Sequence, residues 1–472
     1  MDDMDAMEVS DDDNIPERLP KFNFYSYYVK NRSLSLQSNR LLPQQKEALE
    51  TLCQWFDPNS ENKDKIALVS MPTGSGKTGI ISCLPYFLGS IGLKDESNIA
   101  VGHPDYPFKQ PVLVIAPNLA ISKQLEEQLS VSQSGSIDQP FLIRRGIVPV
   151  ANKDVLPKAK KIESTAELKD RHPLETNELI IANAQKFLVN NWEDELPADM
   201  FRLVIVDEAH HHPARTWRRI VNKFKNKALV VFFTATPYRA DRRPVLEDTT
   251  PAYHLSLKEA VKTGIIRQTN FQELKLIDPN FPQVYIRDLE SKTDEEKKSL
   301  RRKMTILRKV KELMDLKNGT GANAQQLPGG IQHMGMAIAK NIDCADELLD
   351  LWKAMYPEYA AETYHSNLSQ WLKEKIMDKL KNNELRLVIV VGMLLEGFDH
   401  PPISIAAITC KISSPVKFVQ FVGRAQRICR GTNEIEKNGQ AHIITHVDYE
   451  QRHLYDKFIE ERFILDDPPE DQ

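Results

Sequence analysis

Five runs in the first half of the chain are apolar almost without interruption: KIALVS (65–70), PVLVIAP (111–117), ELIIAN (178–183), RLVIVDE (202–208) and ALVVFFTAT (228–236). Stretches with helical spacing of apolar positions separate them. Alternation of this kind predicts parallel α/β architecture, and strands with no polar face predict a sheet covered on both sides. Past about residue 265 the pattern changes. Residues 291–317, SKTDEEKKSLRRKMTILRKVKELMDLK, read as a charged helix with one apolar stripe, and NGTGANAQQLPGG (318–330) reads as a loop. Strands resume at GMAIAK (335–340), AETYH (361–365), LRLVIVVG (385–392), ISIAAITC (403–410) and AHIITH (441–446). Two α/β domains joined near residues 250–270 are expected.

Composition adds one point and removes several. The chain has 472 residues, 41% hydrophobic and 27% charged, enough for two or three domains with real cores. No apolar run approaches the roughly 20 residues that span a bilayer. The acidic start, MDDMDAMEVSDDDN, does not resemble a secretory signal. Cys53, Cys83, Cys344, Cys410 and Cys429 are scattered and form no CxxC pair. The expectation is a reduced intracellular protein, cytoplasmic or nuclear, with no membrane partner. The net charge of −4 hides a basic body: setting aside the eleven acids of residues 1–13 and 466–472 leaves +7. Both tails (1–20 and 461–472) read as solvated and disordered. A mildly basic body is compatible with nucleic acid.

The chemistry begins at MPTGSGKT (71–78). Pro72, Thr73, Gly74, Ser75 and Gly76 suit a loop whose N–H groups turn inward around phosphates. Lys77 would pair with β/γ-phosphate oxygens, and the Thr78 hydroxyl would hold Mg²⁺. The helix starting there adds its positive dipole end. The literal phosphate-loop pattern wants Gly where Met71 stands, and fails there by one position. A partner stands at the end of LVIVDEAHHHP, where Asp207 and Glu208 close an apolar strand. ATP hydrolysis needs one carboxylate for the metal, here Asp207, and another to orient water, here Glu208. The carboxyl ends of parallel strands are where α/β sheets bind ligands. Three consecutive histidines, 210–212, cannot all face one ion on a regular element, so zinc is not implied.

These motifs, in this order, resemble those of a superfamily 2 helicase of the DEAH/DExH kind. The likeness is closest to the motor of type I and III restriction enzymes and the related DNA-repair helicases, and it runs from about residue 38 to 450. LLPQQ (41–45) resembles the segment whose glutamine, here Gln45, reads adenine. MPTGSGKT is motif I, in which Met71 is common in this branch. VLVIAPNLAI (112–121) resembles motif Ia, IIANAQKF (180–187) the next strand-contacting motif, DEAH (207–210) motif II and TATPYRAD (234–241) motif III. MAIAKNIDCA (336–345), YHSNLS (364–369), EGFDHP (396–401) and QFVGRAQR (420–427) resemble motifs IV, IVa, V and VI.

The resemblance implies two tandem RecA-like P-loop domains with parallel sheets and ATP in the cleft between them. Their limits are expected at 21–255 and 331–460, with a connecting segment at 256–330. It places Gln420, Arg424 and Arg427 of motif VI, with Gly397 and Asp399 of motif V, at the nucleotide. Arg424 and Arg427, three apart on an expected helix, would share a face. Planar guanidiniums suit the charge spread over a leaving γ-phosphoryl group. His210, Thr234 and Thr236 would couple nucleotide state to grip. Pro117, Asn118, Gln185, Lys340 and His365 would line the backbone path of a nucleic acid. The basic insertion 152–171 reads as a solvated loop.

DNA, duplex rather than single-stranded, is favoured over RNA. The DEAD-box RNA pattern has Asp in place of His210 and His in place of Gln420, although duplex-RNA sensors and viral DExH proteins fit parts of the chain. A nucleotide-gated recruiter or sensor is the alternative of another class; intact Glu208 and Arg427 argue against a version that does not hydrolyse. No nuclease cluster is visible outside the motor, so a nuclease is expected only as a partner or a further domain.

Overall fold

The computed structural model describes residues 41–57, 59–62, 66–88, 111–130, 140–148, 156, 159–164, 167, 179–188, 192–211, 214–235, 251–275, 290–319, 327, 330–391, 400–429 and 439–461. Thr236, Gly397, Asp399, His212 and both acidic tails, up to a single residue at position 461, lie outside them, as does most of the loop at 318–330.

A seven-stranded sheet has the order β3-β4-β2-β5-β6-β1-β7. Its strands are β1 (Ala67–Ser70), β2 (Val112–Ala116), β3 (Ala159–Lys161), β4 (Leu179–Asn183), β5 (Leu203–Val206), β6 (Leu229–Thr234) and β7 (Pro251–His254). A six-stranded sheet, order β10-β11-β9-β12-β13-β8, is built from β8 (Thr269–Leu274), β9 (Met334–Ala339), β10 (Ala361–Tyr364), β11 (Leu387–Val391), β12 (Ile403–Ile408) and β13 (Ala441–His446). The pairs β2–β4, β2–β5 and β5–β6 in one sheet, and β9–β11, β9–β12 and β12–β13 in the other, are parallel. Every residue of β2, β4, β5, β9 and β12 is buried, as continuous apolar strands require when helices cover both faces.

By their contacts the residues fall into two compact units. One comprises Met1–Ala67, Thr78–Asp207 and Arg215–Phe232; the other comprises Leu68–Lys77, Glu208–Ala214 and Phe233–Gln472. The helices that matter below are α1 (Pro43–Trp55), α2 (Lys77–Phe87), α3 (Leu119–Leu129), α4 (Ala214–Phe224), α5 (Leu257–Lys262), α6 (Asp294–Asn318), α7 (Ile342–Met355), α8 (Gln370–Lys381) and α9 (Pro415–Ala425).

The charged helix read at 291–317 forms as α6. Its start is fixed by a capping box: Glu296 N donates to Thr293 Oγ1 at 3.3 Å, and Thr293 N donates to the Glu296 carboxylate at 2.7 Å. The apolar stripe Leu300, Met304, Leu307, Val310 and Met314 lies in one core with Leu348, Trp352, Leu387 and Ile405. Gly335 on β9 permits the close approach, since a Cβ there would stand 2.9 Å from Val310 Cγ1. The segment read as connecting therefore packs with the second sheet, and β8 is that sheet's edge strand. Part of the insertion read as a solvated loop is ordered too: β3 pairs in parallel with β4.

Near the end of α6, Lys317 is almost wholly buried and its Nζ donates to Gln440 O at 2.8 Å. Burial, with the neighbouring Arg267 charge second, pushes the Lys317 ammonium down to about 7. Below that pH both folded and unfolded chains carry the charge, and folding bears its full burial cost. As pH rises above 7 the folded chain sheds the proton while the unfolded chain still holds it, so this group's contribution to stability rises with pH. Relative to Lys317→Met, wild-type unfolding free energy should climb between pH 7 and 9, by at most about 1.4 kcal/mol per pH unit. A wild-type-minus-variant difference that stays flat in chemical unfolding across that range would contradict the assignment.

Candidate functional site

The phosphate-type loop follows β1. Met71 N donates to Thr234 O at 3.1 Å, which extends the strand by one residue before the chain turns. The Ser75 backbone and hydroxyl both donate to Pro72 O, at 3.2 and 2.6 Å. Gly74 (φ 84°) and Gly76 (φ 99°) take left-handed conformations that favour glycine, and α2 begins at Lys77. Met71 is wholly buried. The residue that breaks the literal glycine pattern is thus part of the core. Lys77 is nine-tenths buried; its Nζ donates to Met71 O at 3.2 Å and stands 3.9 Å from Glu208 Oε1.

Gln45 is buried on the first turn of α1, where its Oε1 accepts from Leu42 N at 2.9 Å. Its Nε2 occupies the space that a side chain at Gly79 would need. The adenine-reading residue implied by the resemblance thus presses on the first turn of α2, one residue beyond Thr78.

The two carboxylates stand where β5 ends. Asp207 N donates to Ile115 O at 2.9 Å and the residue is buried. Glu208 has φ 48°, a left-handed conformation costing a non-glycine residue about 1 kcal/mol or more. That turn aims its carboxylate at Lys77 on one side and at His210 on the other, with Oε2 3.5 Å from His210 Nδ1. His210, buried, has Nδ1 2.9 Å from Thr234 Oγ1 and Nε2 2.9 Å from Gln420 Nε2. With the Gln420 amide donating, Nε2 accepts and Nδ1 carries the ring proton toward Thr234. Lys77, Glu208, His210, Thr234 and Gln420 therefore form one continuous polar chain inside the second compact unit.

Gln420 comes from α9, whose N-cap Ser414 accepts from Lys417 N at 3.4 Å and whose Phe418 and Val422 are wholly buried. In the same unit, a Cβ on Gly423 would lie 2.8 Å from Thr73 Cβ, and one on Gly74 would lie 2.9 Å from Arg427 Cγ. The phosphate-type loop and the end of α9 thus meet through two glycines. Arg424 is buried. One expectation needs correction: Arg424 and Arg427 do not share a helix face, because α9 ends at Ala425. Gln426 is held instead by Arg267, whose N donates to Gln426 O at 2.7 Å while Gln426 Nε2 donates to Arg267 O at 3.2 Å. Arg427 lies beyond that clasp in non-helical chain. Sequence reasoning missed Arg267; the only visible signal is a lone arginine after the apolar pair in GIIRQ (264–268).

The residues implied for a nucleic-acid path all follow strands. Pro117 and Asn118 follow β2, and Gln185 follows β4, its parallel neighbour. Asn118 also caps α3, its Oδ1 accepting from Ile121 N at 3.0 Å, and Gln185 N donates to Asn183 Oδ1 at 2.8 Å. In the other sheet Lys340, exposed, follows β9, and His365, buried, follows β10. Within each parallel sheet these are carboxyl ends, the ligand-binding edge.

Two family models match in tandem. The model described as Type III restriction enzyme, res subunit, matches residues 38–239, and the Helicase conserved C-terminal domain matches residues 332–429. The chain is a superfamily 2 helicase. IRC3 of Saccharomyces cerevisiae, whose ATP-dependent helicase designation is itself provisional, is 23% identical over 265 residues, covering 54% of this chain and 36% of that one. Helicase 22 of a Sulfolobus islandicus filamentous virus, also provisionally named, is 23% identical over 239 residues, covering 48% of this chain and 40% of that one. The chain thus spans well under half the length of these curated relatives. Among solved structures, the ATP-dependent Type ISP restriction-modification enzyme LlaBIII bound to DNA superposes with a TM-score of 0.57 at 15% identity, over 90% of this chain and 30% of that one. Dbp5 of S. cerevisiae bound to RNA and ADP BeF3 superposes at 0.52 with 14% identity, over 88% of this chain and 87% of that one. This helicase has the fold of these structures, tandem RecA-like domains on two parallel sheets. Among the described residues no helix is long and apolar enough to cross a membrane.

Proposed function

We propose that this helicase hydrolyses ATP to move along or open nucleic acid, with duplex DNA as its preferred track. The observation that carries the reading is the polar chain from Lys77 through Glu208 and His210 to Gln420, with Arg427 packed on Gly74. In this reading Gln45 recognises the adenine and residues 72–76 wrap the phosphates. Lys77 exchanges its Met71 carbonyl for phosphate oxygen, and Glu208 orients the water that attacks the γ-phosphorus. Arg424 and Arg427 stabilise charge on the transferring group, giving ADP and inorganic phosphate. Gly397 and Asp399 are assigned to the same nucleotide.

The donor set fits magnesium. A buried carboxylate at Asp207 and a hydroxyl at Thr78 are hard oxygen ligands, and Mg²⁺ bound there would neutralise phosphate charge. Coupling follows from the contacts of Glu208. A change at the γ-phosphate alters what Glu208 faces, and His210 passes that change to Thr234 and, through Gln420, to α9. Thr236 is assigned to the same relay. We assign nucleotide binding to residues 21–255 and the second RecA-like half to 331–460, with 256–330 packed against the latter.

Support for DNA comes from the restriction-enzyme model across residues 38–239. His210 and Gln420 also stand where the DEAD-box RNA pattern has Asp and His. Pro117, Asn118, Gln185, Lys340 and His365 are assigned to sequence-independent backbone contacts. A nuclease or other effector acting with this motor is a partner or a further domain.

Hydrolysis is tested by Glu208→Gln, which keeps size and hydrogen bonding but loses the carboxylate. It should bind Mg-ATP nearly normally and turn over at least about 10²-fold more slowly. Nucleotide affinity falling as steeply as turnover would overturn the role given to Glu208.

A further inference from the structure

Arg267 is 2% exposed, in the short link between α5 and β8. A guanidinium buried so completely must be fully hydrogen-bonded, and its Nη1 points at main-chain oxygens from separate segments. Nη1 donates to Pro401 O at 3.0 Å, Ile403 O at 3.0 Å and Ala425 O at 3.1 Å. Pro401 closes the motif V segment, Ile403 opens β12, and Ala425 is the last residue of α9. The main chain of Arg267 adds the two-way clasp with Gln426. The side chain also meets Cys429, two residues past Arg427. Arg427 is thus flanked by Arg267 contacts at 425, 426 and 429.

The β12 ladder already holds Ile405–Ile408 against β9 and β13. Pro401 and the chain at Ala425 lie outside that ladder, and Arg267 ties both to Ile403, the first residue of β12, which pairs with Met334 of β9. With Ala425 and Gln426 held against the link, α9 ends at Ala425, and Arg427 lies outside the helix with its stem on Gly74.

We propose that Arg267 is a positioning residue for the arginine finger: it fixes the end of α9 so that Arg427 reaches the transferring phosphoryl group, and holds Pro401 and Ile403 by the same guanidinium. The assignment rests on the ATPase reading above. It makes Arg267 act on the transition state through Arg427 and not on ATP binding. Arg267→Met removes the donors; Arg267→Lys keeps the charge and three donors on one nitrogen, but loses the planar guanidinium that sets their position.

The test is a double-mutant cycle on the full chain, measuring ATP turnover with nucleic acid present. Arg267→Met should lower kcat by about 10–10²-fold, the scale of a misplaced catalytic group, with KM for ATP within about threefold. Added to Arg427→Ala it should cost less than about threefold more, because the residue it positions is already gone. Arg267→Lys should fall between Arg267→Met and wild type. Losses that multiply in the double variant, or KM rising as steeply as kcat falls, would overturn the proposal. If Arg267→Met does not fold, Arg267→Lys carries the same cycle. Hydrogen exchange gives a readout independent of catalysis: amides at 425–429 should exchange faster in the Arg267 variants while β9 and β12 stay protected, and unchanged exchange at 425–429 would overturn it. Absence of wild-type turnover with every nucleic acid would sink the ATPase reading itself, leaving the exchange experiment to decide the positioning.

Discussion

Arg427→Ala is expected to lower nucleic-acid-stimulated ATP turnover by about 10³–10⁵-fold, the usual contribution of an arginine finger. The residue lies far along the chain from the phosphate-type loop, yet its Cγ sits against Gly74. In the proposed reading, a guanidinium placed there reaches the phosphates assigned to Lys77. Such a group contributes chiefly where charge develops, so nucleotide binding should change only a few-fold while turnover collapses. Stimulation by nucleic acid should disappear too, if, as proposed, it favours the arrangement in which Arg427 is engaged. A stimulated rate within about tenfold of wild type would show that Arg427 does not touch the reaction.

Lys77→Ala should lose turnover by about 10²–10³-fold or more, the scale of removing a preorganised charge donor. Unlike Arg427, Lys77 is assigned to the phosphates before as well as during reaction, so ATP affinity should fall as well. The fold should survive. Lys77 Nζ holds one backbone carbonyl, Met71 O, and faces Glu208, while the loop is shaped by Gly74, Gly76 and the Ser75–Pro72 turn. Wild-type turnover in a purified, folded Lys77→Ala protein would remove Lys77 from the site.

The buried strands were legible because parallel strands covered on both faces leave continuous apolar runs. LIIAN, LVIV and ISIAAI each lie inside the run read from sequence. The strands that escaped notice are β3, β7 and β8, at the sheet edges, where AKK, PAYH and TNFQEL are only half-buried and carry polar residues. The site divides in the same way. Lys77, Asp207 and Glu208 could be read from local sequence, because a loop cradle and a strand-end acid pair are short-range arrangements. The end of α9 could not: it is fixed by Arg267, which lies 159 residues from Gln426. Three of the partners of Arg267 are main-chain carbonyls, which leave no residue-type signature. That is also why helical spacing misplaced Arg427 relative to Arg424.

The central claim, an ATPase driven by duplex DNA, is tested most directly by the ATP hydrolysis rate of the full chain with single-stranded DNA, duplex DNA, single-stranded RNA and duplex RNA in turn. Duplex DNA is expected to raise the rate most, with Glu208→Gln inert on all four. Stimulation by RNA alone, or a rate indifferent to every polymer, would contradict it.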